Sequence, residues 1–334
     1  MGRLIIIGNG YDLSRLGNAT SYEKFRDWLC EKYNLCKDGG NEIPLFRCPS
    51  QYSLETFRAA GCDLSDEDKD LILERRKSFY APVLVNMIHE IGNGGWCDFE
   101  KNLGKLPWRE CIEKVDKQFL SIRSSDLSCL FGYGLIVSAS SVFGELFADW
   151  ISEIECHPAG KQKFEMDLQN IEEDDTIIIF NYTDTFEQIF DLEIDDPRVL
   201  HIHGIAQKKD SIIVGHGEVQ KSRGTNLDTV EDYIQEAEAA LYKNADRIIE
   251  ENKEYWEKIA RDFSGDCCSK NKIYVYGWKG QEADKPYLKK FIEIANASRK
   301  RCQLFLSDYK GDGKKIKGIW KEGGFCGKIT LFPV

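Results

Sequence analysis

No Cys-x-x-Cys pair occurs among the twelve cysteines, and the only close pair is the vicinal Cys267 and Cys268. That absence excludes the usual spaced zinc modules, and thiols scattered in this way point to a reducing compartment. A prominent basic patch is also missing. With a formal net charge of −11 the chain repels a phosphate backbone, so no stable nucleic-acid partner is expected. The Gly/Lys-rich tail from Lys310 to Lys328 is the nearest candidate, and it reads as a solvated loop. From Met1-Gly2-Arg3 the chain enters an apolar run too short for a secretory signal, so a cytoplasmic location is expected. The uncharged stretch from Leu127 to Gly144 is long enough to raise a membrane span. Ser128, Ser138, Ser140, Ser141 and its glycines dilute it, however, so it reads as buried interior and no membrane partner is expected. Internal repeats and low-complexity tracts are absent.

What is present is an ordinary globular composition: 334 residues, 42% hydrophobic, enough for a sizeable core in one large domain or two smaller ones. Leu4 to Ile7 is a compact β-branched run closed by Gly8-Asn9-Gly10, as a buried first strand would be. A helix is expected after it, capped by Thr20 or Ser21 and carrying Tyr22, Phe25, Trp28 and Leu29 at helical spacing. Irregular text from Asn34 to Leu64 gives way to a helix from Ser65 toward Glu90, then to more helical text up to Ile154. Short apolar runs at Thr176–Phe180, Arg198–Ile202, Ile212–Val214, Ile273–Tyr276 and Gln303–Leu306 read as strands. A charged helical stretch from Thr229 to about Phe263 and a helix from about Glu282 to Ser298 separate the later ones. Such alternation predicts an α/β fold on a parallel sheet, with core segments 1–33, 170–216 and 270–334. Residues 34–169 form a mainly helical insertion and 217–269 a second one.

In an open parallel sheet, ligands bind beyond the carboxyl ends of the strands, where loops and helix N-termini converge. Gly8-Asn9-Gly10-Tyr11-Asp12, Asn181-Tyr182-Thr183-Asp184, His201-Ile202-His203-Gly204 and Gly277 occupy that position. The first motif either brings backbone amides to a phosphate at a helix N-terminus or forms a tight turn; the dinucleotide fingerprint wants a third glycine where Leu13 stands. Strand alternation puts His201 and His203 on one face, with Gly204 permitting close approach of a ligand. Asn181 ends an apolar run with an amide that donates and accepts, suited to a sugar hydroxyl or a water; capping the next helix is the alternative.

Taken in order, these motifs resemble the AbiH family of phage-defence proteins. The residues that carry the resemblance are Gly8-Asn9-Gly10-Tyr11-Asp12 with Thr20-Ser21-Tyr22, then Trp96 with Asp98-Phe99-Glu100, Phe180-Asn181-Tyr182-Thr183-Asp184-Thr185, and His201-Ile202-His203-Gly204. A closing Gly277 with Asp284 and Tyr287 extends it over nearly the whole chain. The resemblance implies a Rossmann-like, sirtuin-type parallel sheet with helical insertions and a bound NAD-like nucleotide. Asn181 and His203 match the sirtuin-type asparagine and histidine, and Gly8, Asn9, Gly10, Asp12, Asp184, His201, Gly204 and Gly277 line the nucleotide. It further implies anti-phage defence by NAD glycohydrolysis, with NAD as substrate, no metal, Asn181 holding the ribose or water and His203 as general base. Two features depart from the relatives: the paired-cysteine zinc module of sirtuin deacylases is absent, and Trp278 stands where relatives have serine, beside the ribose pocket.

Two other readings stay open. One is a non-enzymatic sensor of NAD or ADP-ribose that signals to a partner protein. The other is a metal-dependent hydrolase using His201, His203 and His216 with Asp184. Defence enzymes of this sort need assembly or a trigger, so a phage-derived trigger or partner is expected. Trp28, Trp96, Trp108 and Trp150 offer either core packing or a homo-oligomer surface.

Overall fold

A computed structural model describes residues 3–35, 66–91, 103, 128–154, 164, 168, 170–215, 229–264, 272–280, 282–298, 302–309 and 311–333. Trp96, Asp98, Phe99, Glu100, Trp108, His216 and the Cys267–Cys268 pair lie outside these residues.

Six strands form one sheet: β1 (Leu4–Ile7), β2 (Thr176–Ile179), β3 (Val199–His201), β4 (Lys272–Tyr276), β5 (Gln303–Asp308) and β6 (Lys328–Pro333). Their order is β3-β2-β1-β4-β5-β6 and every pairing is parallel. The α/β class is therefore as the alternation predicts. Helices accompany the strands: α1 (Asn9–Leu16), α2 (Tyr22–Lys32), α3 (Asp66–Ile91), α4 (Ser128–Glu153), α5 (Thr185–Phe190), α6 (Thr229–Ala240), α7 (Ala245–Glu251), α8 (Lys253–Ser264), α9 (Lys285–Ala297) and α10 (Gly313–Glu322).

The chain divides into two compact units. Met1–Thr20, Ala148–Glu218 and Lys243–Val334 make the unit that holds the sheet; Ser21–Phe147 and Val219–Tyr242 make the other. In the second unit Ser21 caps α2 by accepting the Lys24 N–H, and Phe25 packs edge-on against Phe143 and Phe147 of α4. Expected as buried interior, the stretch from Leu127 to Gly144 supplies much of α4, where Ala139, Ser140, Val142 and Phe143 are buried. Among the described residues, no helix is long and apolar enough to cross a membrane.

In the sheet unit, both faces of the central strands are covered, which is why their text is continuously apolar rather than alternating. Ile6, Ile178 and Val275 point to one core, shared with Trp256, Ile259, Phe291 and Trp320 from α8, α9 and α10. Ile5, Ile7, Ile177 and Ile179 point to the other, with Tyr11, Phe164 and Phe186. At the amino ends of β1 and β2 the Arg3 guanidinium meets Asp175 at 2.5 Å, and Asp175 also accepts the Arg3 backbone N–H at 2.7 Å. That buried pair fixes the register of the two strands at the end away from their carboxyl-terminal loops.

Several elements differ from the sequence expectation, each for a local reason. α1 begins directly after β1, ahead of the helix that Ser21 caps. Ile212–Val214 is not a strand: Ile213 donates one hydrogen bond to the His203 carbonyl, and no ladder follows. The long stretch after Thr229 breaks into α6, α7 and α8, with Asn244 capping α7 through the Arg247 N–H; from Lys243 onward it packs with the sheet. The Gly/Lys-rich tail is not a loop, for Ile316 and Trp320 anchor α10 in the core and β6 follows.

Candidate active site

Gly8 follows β1 directly, and the turn into α1 is pressed against the loop after β4. The Gly8 N–H donates to the Tyr276 carbonyl at 2.9 Å and the Gly10 N–H to the Gly277 carbonyl at 3.0 Å. A Cβ on Gly8 would come within 2.5 Å of Trp278 Cα, and one on Gly10 within 2.7 Å of Gly277 Cα. Gly277 has φ +68°, and a Cβ there would meet the Tyr11 backbone nitrogen at 2.4 Å. These glycines therefore let two backbones touch, and the amides expected to face a phosphate are already committed to carbonyls. Asn9 opens α1 and is half-buried. Beside this contact the Trp278 ring turns into the core, stacked on Phe180 at 5.0 Å and packed edge-on against Phe291 and Trp320, with its indole N–H buried and without a partner.

Asp12, one turn into α1, is 2% exposed. Its Oδ2 accepts the Thr183 hydroxyl at 2.7 Å, and Thr183 Oγ1 in turn accepts the Thr185 hydroxyl at 3.0 Å. The hydroxyl chain thus ends on Asp12, while Asp12 Oδ1 has no hydrogen-bond partner. Burial pushes this carboxyl up to about 7, against the lowering influence of the nearby polar groups of Thr183, Asn181 and Thr185; the Glu187 carboxylate adds to the rise. Asn181, immediately past the Phe180 that follows β2, is 3% exposed, and its Oδ1 also lacks a partner.

His201 and His203 part company. β3 stops at His201, whose register partner Ile179 belongs to the Tyr11–Phe186 core, and His201 Nε2 meets Glu187 Oε1 of α5 at 2.6 Å. Its Nδ1 lies 3.3 Å from the Asn181 carbonyl. His203 instead contacts the rings of Phe180 and Tyr287, both members of the opposite core. The expected shared face therefore fails: alternation holds only while the strand does, and the chain turns at Gly204, whose N–H returns to the His201 carbonyl. Gly204 has φ +83°, and the space at its Cβ is taken by the Ser211 carbonyl, so it serves its own loop. Two histidines on opposite faces do not chelate one ion, and among the described residues no group of three His, Cys, Asp or Glu is placed to hold a metal.

His203 is 3% exposed, and its pKa is held well below the usual imidazole range by burial and by the positive charge of Lys243. The Phe180 backbone carbonyl hydrogen-bonds the ring and opposes that shift, while Nε2 is the nitrogen left without a partner. The ring is thus neutral near pH 7, with Nε2 free of any partner. Asp184 precedes α5, half-buried, with no capping hydrogen bond from its side chain.

Of the residues singled out in the sequence, the structure joins Asp12 to Thr183 of the second motif, and links His201 to Asn181 through its carbonyl. Thr183 and Thr185 stood in the quoted motifs without a role of their own, and Glu187 was missed, although a polar side chain in a short helix after β2 was the available signal. Glu187 is 1% exposed and its Oε2 lacks a partner. The family model described as bacteriophage abortive infection AbiH matches residues 4–307. No curated protein and no solved structure matches the chain.

Proposed function

The chain belongs to the AbiH family of bacteriophage abortive infection, and from that premise we propose that it defends its host by hydrolysing NAD at the bond between ribose and nicotinamide. The observation that carries this reading is a set of buried acceptor atoms without partners, Asp12 Oδ1, Asn181 Oδ1, Glu187 Oε2 and His203 Nε2, around the carboxyl ends of β1, β2 and β3. Buried polar groups are nearly always hydrogen-bonded, and leaving one unmade costs roughly 1–3 kcal/mol. Such acceptors call for donors from outside the protein, and a ribose with its hydroxyls and a water supplies donors of that kind. The strand order supports a Rossmann-like reading, since 3-2-1-4-5-6 is the order of dinucleotide-binding sheets, which take their ligand where the order reverses. Here that reversal lies between β1 and β4, at the Gly8–Trp278 contact. Its two committed amides mean that recognition falls to side chains more than to a glycine cradle.

In the proposed reaction the C1′–N bond breaks and its electron pair goes to the ring nitrogen, so nicotinamide leaves neutral from a cationic ring. The ribosyl cation left behind takes a water oxygen, and the water's proton passes to His203 Nε2. ADP-ribose, nicotinamide and one proton are the products. Asn181 holds the ribose or the water through its free Oδ1. General-base assistance of this kind is worth roughly 10²–10⁴-fold. Loss of NAD after infection would halt the host before phage release.

Chromatography of NAD incubated with the full chain, with and without phage lysate and chelator, tests the reading. Nicotinamide should appear, should fall by about 10²-fold or more in Asn181→Ala and His203→Ala, and should be indifferent to chelator. Saturable binding of NAD or ADP-ribose with no turnover in any condition would instead make the chain a sensor.

A further inference from the structure

We infer that Asp12 is the anion of this site: ionised, its Oδ1 stabilises the positive charge that develops on the ribose as nicotinamide departs, and protonation at that same oxygen switches the reaction off. The inference rests on the NAD reading above.

Three features of geometry support it. First, Asp12 is the end of a directed hydrogen-bond chain, because Thr185 donates to Thr183 and Thr183 donates to Asp12 Oδ2. Oδ2 is thereby occupied, so any proton that Asp12 gains sits on Oδ1, the oxygen that also has no protein partner. Second, Asn181 is 3% exposed, stands two residues before the Thr183 that donates to this carboxyl, and keeps its own Oδ1 free. Third, Asp184, the other acid of the two motifs, stands half-buried outside this network.

The titratable groups around Asp12 are Tyr11 on its own helix, Glu187 of α5, and His201 of β3 behind Glu187. Thr183, Thr185 and Asn181 complete its surroundings. With burial opposing ionisation and the hydroxyls and amide favouring it, the carboxyl stands at about 7. A charge fixed in a dry site acts on a developing charge without reorganisation, which is where electrostatic stabilisation is largest. His203, held neutral, takes the water's proton unchanged across the same pH range, and Asp12 neither gains nor loses a proton during turnover.

The test is the pH profile of nicotinamide release from NAD. Wild type should rise with pH through a midpoint near 7 and level off above about 8, following the ionisation of Asp12. Asp12→Asn should lower kcat by about 10²–10³-fold, change KM far less, and flatten the limb. Two variants keep the carboxyl and read its environment. Thr183→Val removes a hydrogen bond to the ionised form and should raise the midpoint by about one pH unit. Glu187→Gln removes a neighbouring negative charge and should lower it. A profile whose midpoint moves with neither substitution overturns the role of Asp12 and leaves NAD hydrolysis standing, as does Asp12→Asn with kcat within threefold of wild type. A wild type that releases no nicotinamide under any condition overturns the NAD reading, and the role of Asp12 falls with it.

Discussion

Replacing Asp12 by Asn should make the protein more stable than wild type at neutral and alkaline pH, and the gain should vanish in acid. Asp12 has a folded pKa of about 7 against an ordinary value of 3.8. The folded chain therefore holds this proton more tightly than the unfolded chain, so the stability Asp12 contributes is fully present below about pH 4 and is lost as pH rises through about 7. A shift of about three units corresponds to about 4 kcal/mol, at 1.36 kcal/mol per unit. An Asn at this position keeps an oxygen for the Thr183 hydroxyl and carries no charge to desolvate. Urea denaturation of both proteins between pH 4 and pH 8 reads the effect, with the fluorescence of Trp256, Trp278 and Trp320, all buried in the same unit as Asp12, as the signal. His203 titrates in the opposite sense, its stability contribution being lost as pH falls through its ordinary range, but it is common to both proteins and cancels in the difference. The difference between variant and wild type should grow by about 4 kcal/mol from pH 4 to pH 8. A difference constant to about 1 kcal/mol would refute the buried, raised carboxyl.

Arg3→Ala should destabilise the sheet unit by about 3–5 kcal/mol, because it strands the buried Asp175 carboxylate; thermal unfolding measures it, and a change under about 1 kcal/mol would deny that the pair is buried. Gly277→Ala should cost about 3 kcal/mol or more, since φ +68° and a Cβ 2.4 Å from the Tyr11 nitrogen both oppose it. Altered Trp278 fluorescence should accompany that loss, and an unchanged Tm would show that the two loops do not touch.

The central strands were legible because their text is unambiguous: Leu4 to Ile7 and Ile177 to Ile179 are continuous apolar runs dominated by β-branched isoleucine, as burial on both faces demands. β6 was hidden because an edge strand half-buried along Lys328–Pro333 lacks such a run and follows Gly323 and Gly324. The site was legible in place but not in wiring. Spacing put Gly8, Asn181 and His203 near the strand ends, yet it could not say that Gly8 and Gly10 would spend their N–H groups on the next loop. Nor could alternation be carried past the end of β3, where one residue and a turn send His203 to the face opposite His201. Which acid is buried is a tertiary property: Asp12 and Asp184 look alike in sequence, and only packing against Thr183 separates them.

The most direct measurement is NAD and nicotinamide in cells infected with a phage that the chain restricts, comparing the full chain with His203→Ala. NAD should fall and nicotinamide rise before lysis with the full chain, and neither should change with the variant. Protection by the full chain with NAD undiminished would contradict the account.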